Sequence, residues 1–372
     1  MPPASSSAGA SGPTYPVGSA RVALVGLAAG LAALSLALGS GRPATPLVPV
    51  SSLSMARALE LRTPTLQPVA ARRVAAASWL GGPTTAASGE TLNVFVSASV
   101  PDPGAIRQQW ADFFAGLPHG AELSLLNAYI VDPTELGSEC VSSEAIGCYG
   151  GGHLVIPFEA VRGVDPGEIA RHEYGHHIAA NRSNAPWQAI DWGPKRWASV
   201  ANVCAQVAAG TEFPGDEGSN YRENPGEAFA EVYRLLSDQK AGSPGFGWPV
   251  VDSRFYPDQA ALAAAEQDVV APWVAPTIST ARARFVRGGQ RTWTLTVATP
   301  LDGSFRAALT LRRGSLDRLT VLTPDGKVLA AGLWSAPTVQ NATFSVCGQR
   351  SLLVRVVGDG RPGRFAVTTT VP

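Results

Sequence analysis

Apolar and polar residues alternate along TLNVFVSASV (91–100), the period of a half-buried strand. DPGAIRQQWADFFAGLP follows, with Pro early in the helix and Ile106, Trp110, Phe113, Phe114 and Leu117 on one face. AELSLLNAYIVDP reads as strand-like, and GGHLVIPF (151–158) as a short β run whose Pro157 suits an edge strand. DPGEIARHEYGHHIAANR then has helical character, with Asp165 as N-cap, Pro166 as first helical residue and Glu168 placed for a capping box. Gly175 inside that helix costs about 1 kcal/mol relative to Ala, which suggests another segment passing close to its backbone. A Trp-containing helical stretch (186–209), a polar loop and a helix from about 225 to 238 complete this part. From about residue 276 the rhythm becomes short alternating runs between Gly, Pro, Asp and Asn turns, which predicts a small all-β sandwich.

Three of the five histidines fall in the helical stretch RHEYGHH. His172 and His176 are four apart and so share a helix face, with Cβ atoms about 5–6 Å apart. That spacing lets two imidazoles bind one zinc ion, and Glu173 between them is placed to act as a base. His177 points roughly 100° away around the helix and reads as a packing residue. A catalytic zinc commonly takes a third protein ligand. NYRENPGEAFAEVYRLL (220–236) offers Glu227 and, four residues on, Glu231, after an Asn224 N-cap and Pro225. Glu227 can also be read as the closing residue of a capping box with Asn224. Glu231 suits a carboxylate that receives the second N–H of a metal-bound histidine. His119 and His153 each read as a strand or turn histidine, with His153 flanking the cleft as the alternative, and Trp187, Trp192 and Trp197 as core or loop anchors.

HEYGH followed by EAFAE resembles the gluzincin branch of the zincin metallopeptidases, particularly those with an ExFAE helix such as the anthrax lethal factor group. The resemblance implies an α+β zincin-like domain with a mixed sheet, an edge strand, an active-site helix and a third-ligand helix. It implies His172, His176 and Glu227 as ligands to Zn2+, Glu173 as general base and Glu231 behind the ligands. Tyr221, with Arg222 the weaker candidate, would hydrogen-bond a developing oxyanion, as tyrosines do in related sites. An extended peptide would add itself to the GGHLVIPF strand. Residues after His177 contain no further His or Asp at metzincin spacing. The C-terminal runs resemble the pre-peptidase C-terminal sandwiches of secreted bacterial peptidases, which implies an accessory rather than a second catalytic centre.

Composition adds the compartment. VALVGLAAGLAALSLALG (22–39) is an uncharged apolar run behind Arg21, and it reads as a cleaved signal peptide or as a signal anchor holding the chain at a membrane. Either reading exports the rest. Residues 40–90 read as an Ala/Pro/Ser/Thr-rich linker or pro-segment, 91–275 as the metallopeptidase domain and 276–372 as the sandwich. The spacing of Cys140 and Cys148 favours a loop disulfide, while Cys204 and Cys347 are open between a cross-domain disulfide and free thiols. With Lys+Arg and Asp+Glu both at 29, net charge gives no sign of a nucleic-acid partner. The expected function is an exported zinc peptidase acting on peptide or protein. A zinc amidase of cell-wall material and a non-catalytic adhesion protein that uses its sandwich are the alternatives. Oligomeric state is not legible.

Overall fold

The computed structural model describes residues 79–140, 142–243, 247 and 250–372. The apolar run 22–39 and most of the 40–90 segment lie outside the described residues.

Strands β1 (Trp79–Thr85), β2 (Thr91–Ser97), β3 (Asn127–Val131), β4 (Cys148–Gly150) and β5 (His153–Pro157) form one sheet ordered β1-β2-β3-β5-β4. β2, β3 and β5 run parallel, and the antiparallel β1 and β4 close the two edges. Parallel neighbours need a crossover. Helix α1 (Pro103–Ala115), capped by Asp102 Oδ1 on the Ala105 N–H, carries β2 over to β3. Leu92, Val94, Val96, Ala128, Ile130, Leu154 and Ile156 point from one face into a core shared with Trp110, Phe114 and the histidine helix. On the other face Phe95 stacks on Tyr129 at 4.9 Å, and His153 lies 5.2 Å from the same ring. His153 is therefore a strand histidine on the side away from the histidine helix.

Two expectations are corrected. Ordered structure begins before residue 91, because WLGGPTT forms the edge strand β1 against β2. GGHLVIPF is not an edge: β5 is flanked by β3 and by the three-residue β4, which takes the edge position. The short one-turn helix α2 (Leu136–Glu139) and the Cys140–Cys148 disulfide lead into β4.

The histidine helix α3 (Pro166–Ala180) starts at Asp165, whose side chain accepts from the Gly167 N–H at 2.8 Å. Glu168 does not close a capping box but turns to Arg171 and Arg234. The Trp-containing stretch breaks into α4 (Ala189–Trp192), α5 (Lys195–Val200) and α6 (Val203–Ala209). Trp197 is fully buried against Phe229, and Trp187 stacks on Trp192, so the tryptophans are anchors. Helix α7 (Pro225–Ala241) packs along α3, and α8 (Gln259–Val270) packs on α5. At the α3–α7 crossing a Cβ on Gly175 would lie 2.7 Å from Ala230 Cα, so the glycine is needed for close backbone approach.

The remaining nine strands form an all-β region of two sheets. One is ordered β10-β9-β13-β7 and the other β11-β12-β8-β14-β6. Their ranges are β6 (Thr277–Phe285), β7 (Thr292–Ala298), β8 (Gly303–Leu311), β9 (Arg318–Leu322), β10 (Val328–Ala331), β11 (Leu333–Ala336), β12 (Val339–Val346), β13 (Ser351–Val357) and β14 (Gly363–Val371). Phe305, Leu309, Val321, Val354, Val356 and Val367 fill the space between the sheets, as a sandwich requires. This region is joined to the first by the Cys204–Cys347 disulfide, by Asp302 N–H donating to Ser199 Oγ, and by Arg350 donating to the Ser199 carbonyl.

Candidate metal centre

The donor atoms of His172, His176 and Glu227 lie within 4.8 Å of one another. His172 Nε2 is 3.2 Å from Glu227 Oε2, and His176 Nε2 is 3.2 Å from Glu227 Oε1. Two helices produce this. The i, i+4 pair on α3 directs both rings toward α7, where Glu227 lies in the first turn. Glu227 is not part of a capping box. The Asn224 N–H bonds the Tyr221 carbonyl, and the Asn224 side chain caps the Gly226 N–H at 2.9 Å.

The residues fit a zinc ion. Two imidazole nitrogens and a carboxylate oxygen are a common zinc donor set, and bonds of about 2.0–2.1 Å place tetrahedral ligand atoms about 3.3 Å apart. Each histidine nitrogen lies 3.2 Å from one Glu227 oxygen, His172 from Oε2 and His176 from Oε1, close to that spacing. His172 Nδ1 lies 3.1 Å from Glu231 Oε2, so its N–H donates there and Nε2 is the nitrogen turned toward the cluster. Glu231 is fully buried and held by Arg234, whose Nε and Nη2 donate to its two oxygens at 3.0 and 2.8 Å. Arg234 also bonds Glu168 and Asp238, making a buried ionic cluster behind the ligands.

Charge governs protonation. Burial disfavours the His172 imidazolium, but hydrogen bonds to Glu227 and Glu231 outweigh it and lift its pKa well above the usual value. His176 is also raised, burial being outweighed by the Glu227 charge. Burial pushes the Glu227 carboxyl up, yet the two histidines hold its pKa well below the ordinary range. The pocket therefore favours positive charge at the two imidazoles. Glu173 is buried beside them, and desolvation raises its pKa against the pull of His172 and His176.

His177 uses both ring nitrogens elsewhere: Nδ1 is 3.2 Å from the Tyr149 hydroxyl and Nε2 is 2.8 Å from the Glu122 carbonyl. His119 lies between Gly120 and Glu90. Tyr221 donates to Glu227 Oε2 at 2.5 Å from a short 3-10 turn, whereas Arg222 is exposed.

Two site residues escape the sequence reading. Glu217 belongs to the polar loop; Asn224 Nδ2 donates to its Oε1 at 3.0 Å and turns its carboxyl into the site. Packing there and the neighbouring Glu227 charge push its pKa up to about 7. Gly147 precedes β4, and a Cβ there would lie 2.4 Å from Ile169 Cγ2 and 3.2 Å from Glu173 Oε1. Its lack of a side chain lets the edge backbone run past Glu173.

No family model and no curated protein matches the chain. Among solved structures, the pre-peptidase C-terminal domain of a Bacillus anthracis collagenase aligns at 16% identity and a TM-score of 0.21, covering 24% of this chain and 87% of that one. A Yersinia pseudotuberculosis-derived mitogen aligns at 12% identity and a TM-score of 0.21, over 26% of this chain and 87% of that one. An Aeromonas hydrophila periplasmic inhibitor of g-type lysozyme aligns at 8% identity and a TM-score of 0.21, over 26% of this chain and 88% of that one. These likenesses assign no function.

Proposed function

We propose that residues 79–275 are a zinc-dependent metallopeptidase domain of the gluzincin type in an exported protein. The observation that carries this reading is the convergence of His172, His176 and Glu227 from two helices, with Glu231 bonded to the far nitrogen of His172. Zinc held by His172, His176 and Glu227 would supply a Lewis acid and a water of lowered pKa. Glu173, buried beside the two histidines, would take a proton from the attacking water and return it to the leaving amine. Arg234 and Glu231 keep the His172 ring in one tautomer and one orientation. The Tyr221 hydroxyl, already at the cluster, is assigned to the substrate carbonyl oxygen as its charge grows.

Substrate main chain is assigned to β4 rather than β5, because β4 is the sheet edge and Gly147 brings its backbone against Glu173. The two disulfides support export, and among the described residues no helix is long and apolar enough to cross a membrane. The C-terminal sandwich is assigned an accessory role of the pre-peptidase C-terminal type.

The test compares zinc-loaded wild type with Glu173→Gln on denatured casein and on cell-wall fragments. The proposal predicts casein cleavage and a loss of at least about 100-fold in the variant, with its zinc retained. Hydrolysis of wall fragments alone would make the protein an amidase. A zinc-loaded chain that cleaves neither would refute the enzymatic reading.

A further inference from the structure

Neutrality of the whole chain conceals a strong asymmetry. Residues 276–372 carry thirteen Lys and Arg against four Asp and no Glu, a net charge of +9, whereas residues 79–275 carry ten basic against twenty-four acidic residues. Two of the four Asp, Asp302 and Asp317, are buried, which leaves even less negative charge at the sandwich surface.

The register shows where part of this charge goes. Along β14 the odd residues Phe365, Val367, Thr369 and Val371 face inward, so Arg364, Ala366, Thr368 and Thr370 face out. Arg364 stands opposite Arg284, and Ala366 opposite Arg282, on β6. Arg306 on β8 stands opposite Thr370 and Thr343, and all four arginines are exposed. Among the described residues none of the four is in an ion pair; Arg306 instead donates to Asn341 Oδ1 at 2.7 Å. Like charges directly opposite on neighbouring strands are destabilising, by a few tenths to about 1 kcal/mol. Folding therefore gives no reason for the Arg284–Arg364 pair. Protection of a sheet edge would explain Arg282 and Arg284, since β6 is an edge, but not Arg306 and Arg364 on interior strands. A surface built for solubility alone would mix both signs.

We propose that this outward face of the β11-β12-β8-β14-β6 sheet docks an acidic polysaccharide. Guanidinium groups pair with carboxylate or sulfate oxygens in forked geometry. The hydroxyls of Thr280, Thr310, Thr343 and Thr368 between them suit the hydroxyls of a sugar chain. Strands β8, β12 and β14 present no aromatic on this face for stacking nucleobases. Five strands at about 4.8 Å spacing make a surface too broad for a duplex groove of about 12 Å. Docking by this face would hold the sandwich on an anionic matrix while the acidic first region is repelled from it.

The test is retention of the full chain on immobilised alginate in about 50 mM salt, with neutral dextran as the blank. Arg282→Ser/Arg284→Ser/Arg364→Ser should bind at least about tenfold more weakly and with a shallower salt dependence, because three charge contacts are lost. The matching triple Lys variant should bind more tightly than the triple Ser variant and more weakly than wild type, since charge is kept while the forked pairing is lost. Arg318→Ser/Arg355→Ser, on the other sheet, should stay within about twofold, and no variant should melt below wild type. Equal loss in the two Ser variants, no loss in the triple Ser variant, or no wild-type retention would overturn the proposal. So would tighter binding to a 30-base-pair duplex or to phosphatidylglycerol vesicles than to alginate.

Discussion

Gly175→Ala should destabilise the protein and loosen the proposed metal site together. In an open helical position this change gains about 1 kcal/mol. At Gly175 the added Cβ would lie 2.7 Å from Ala230 Cα, 3.0 Å from its carbonyl oxygen and 3.2 Å from its carbonyl carbon. Carbon atoms in contact prefer about 3.5–4.0 Å, so α3 and α7 must part by roughly 1 Å. Both partners are backbone, so no side chain can swing away. Overpacking costs about 1–3 kcal/mol, and with backbone atoms on both sides the upper part of that range, about 2–3 kcal/mol, applies, leaving a net loss of about 1–2 kcal/mol. For a region of this size that is a fall of about 2–8 °C in melting temperature. The consequence for zinc is larger, because His172 and His176 ride on α3 and Glu227 on α7. Ligand distances tolerate about 0.2 Å, so zinc affinity in chelator competition should fall tenfold or more. Gly104→Ala is the control: its Cβ would meet nothing nearer than Asp102 Oδ1 at 4.0 Å, and it should stabilise by about 0.5–1 kcal/mol. A Gly175→Ala protein that melts at or above wild type and binds zinc within about twofold would refute the reasoning.

Two buried titratable groups outside the site give pH dependences of opposite sign. Lys195 is fully buried, donates to the Ala185 carbonyl at 2.6 Å and lies over the Trp273 ring; burial pulls its pKa down to about 8 from 10.5. The unfolded chain binds more protons between those values, so stability should rise with pH from about 8 toward 10.5 by up to about 1.4 kcal/mol per unit. Urea unfolding of Lys195→Met should show that rise removed, and parallel curves would contradict it. Burial holds the Glu212 carboxyl up to about 8, against the opposing charge of Arg254, and its Oε2 is buried without a hydrogen-bond partner among the described residues. Here the native chain binds more protons between 4.5 and about 8, so stability falls as pH rises through that window. Glu212→Gln should flatten the fall, and an unchanged slope in the variant would exclude Glu212 as its source.

The two helices that carry the site were legible because caps, prolines and i, i+4 spacing are local signals. Asp165, Asn224 and the histidine pair needed no tertiary context, and Gly175 marked the helix crossing by its cost. Strand β1 was hidden because Gly81, Gly82 and Pro83 erase alternation; a Cβ on Gly81 would lie 2.2 Å from Val94 O, a fact of pairing that only the sheet reveals. The edge position of β4 was missed because three residues that start at the closing cysteine of a disulfide loop give no periodic signal. Glu217 sits in a loop without pattern, and Asn224, whose Nδ2 donates to it, helps hold it at the cluster. The basic sandwich face was masked by summing charge over the whole chain, and the arginines group only once the strand register is known.

The central claim is that His172, His176 and Glu227 hold one metal ion, and zinc per chain by elemental analysis tests it most directly. Wild type, Glu227→Ala and Glu217→Ala should be measured side by side after equilibration with zinc and gel filtration. The account predicts about one zinc in wild type and in Glu217→Ala, and loss in Glu227→Ala. A folded wild-type chain that stays metal-free, or zinc stripped by Glu217→Ala while Glu227→Ala keeps it, would contradict the account.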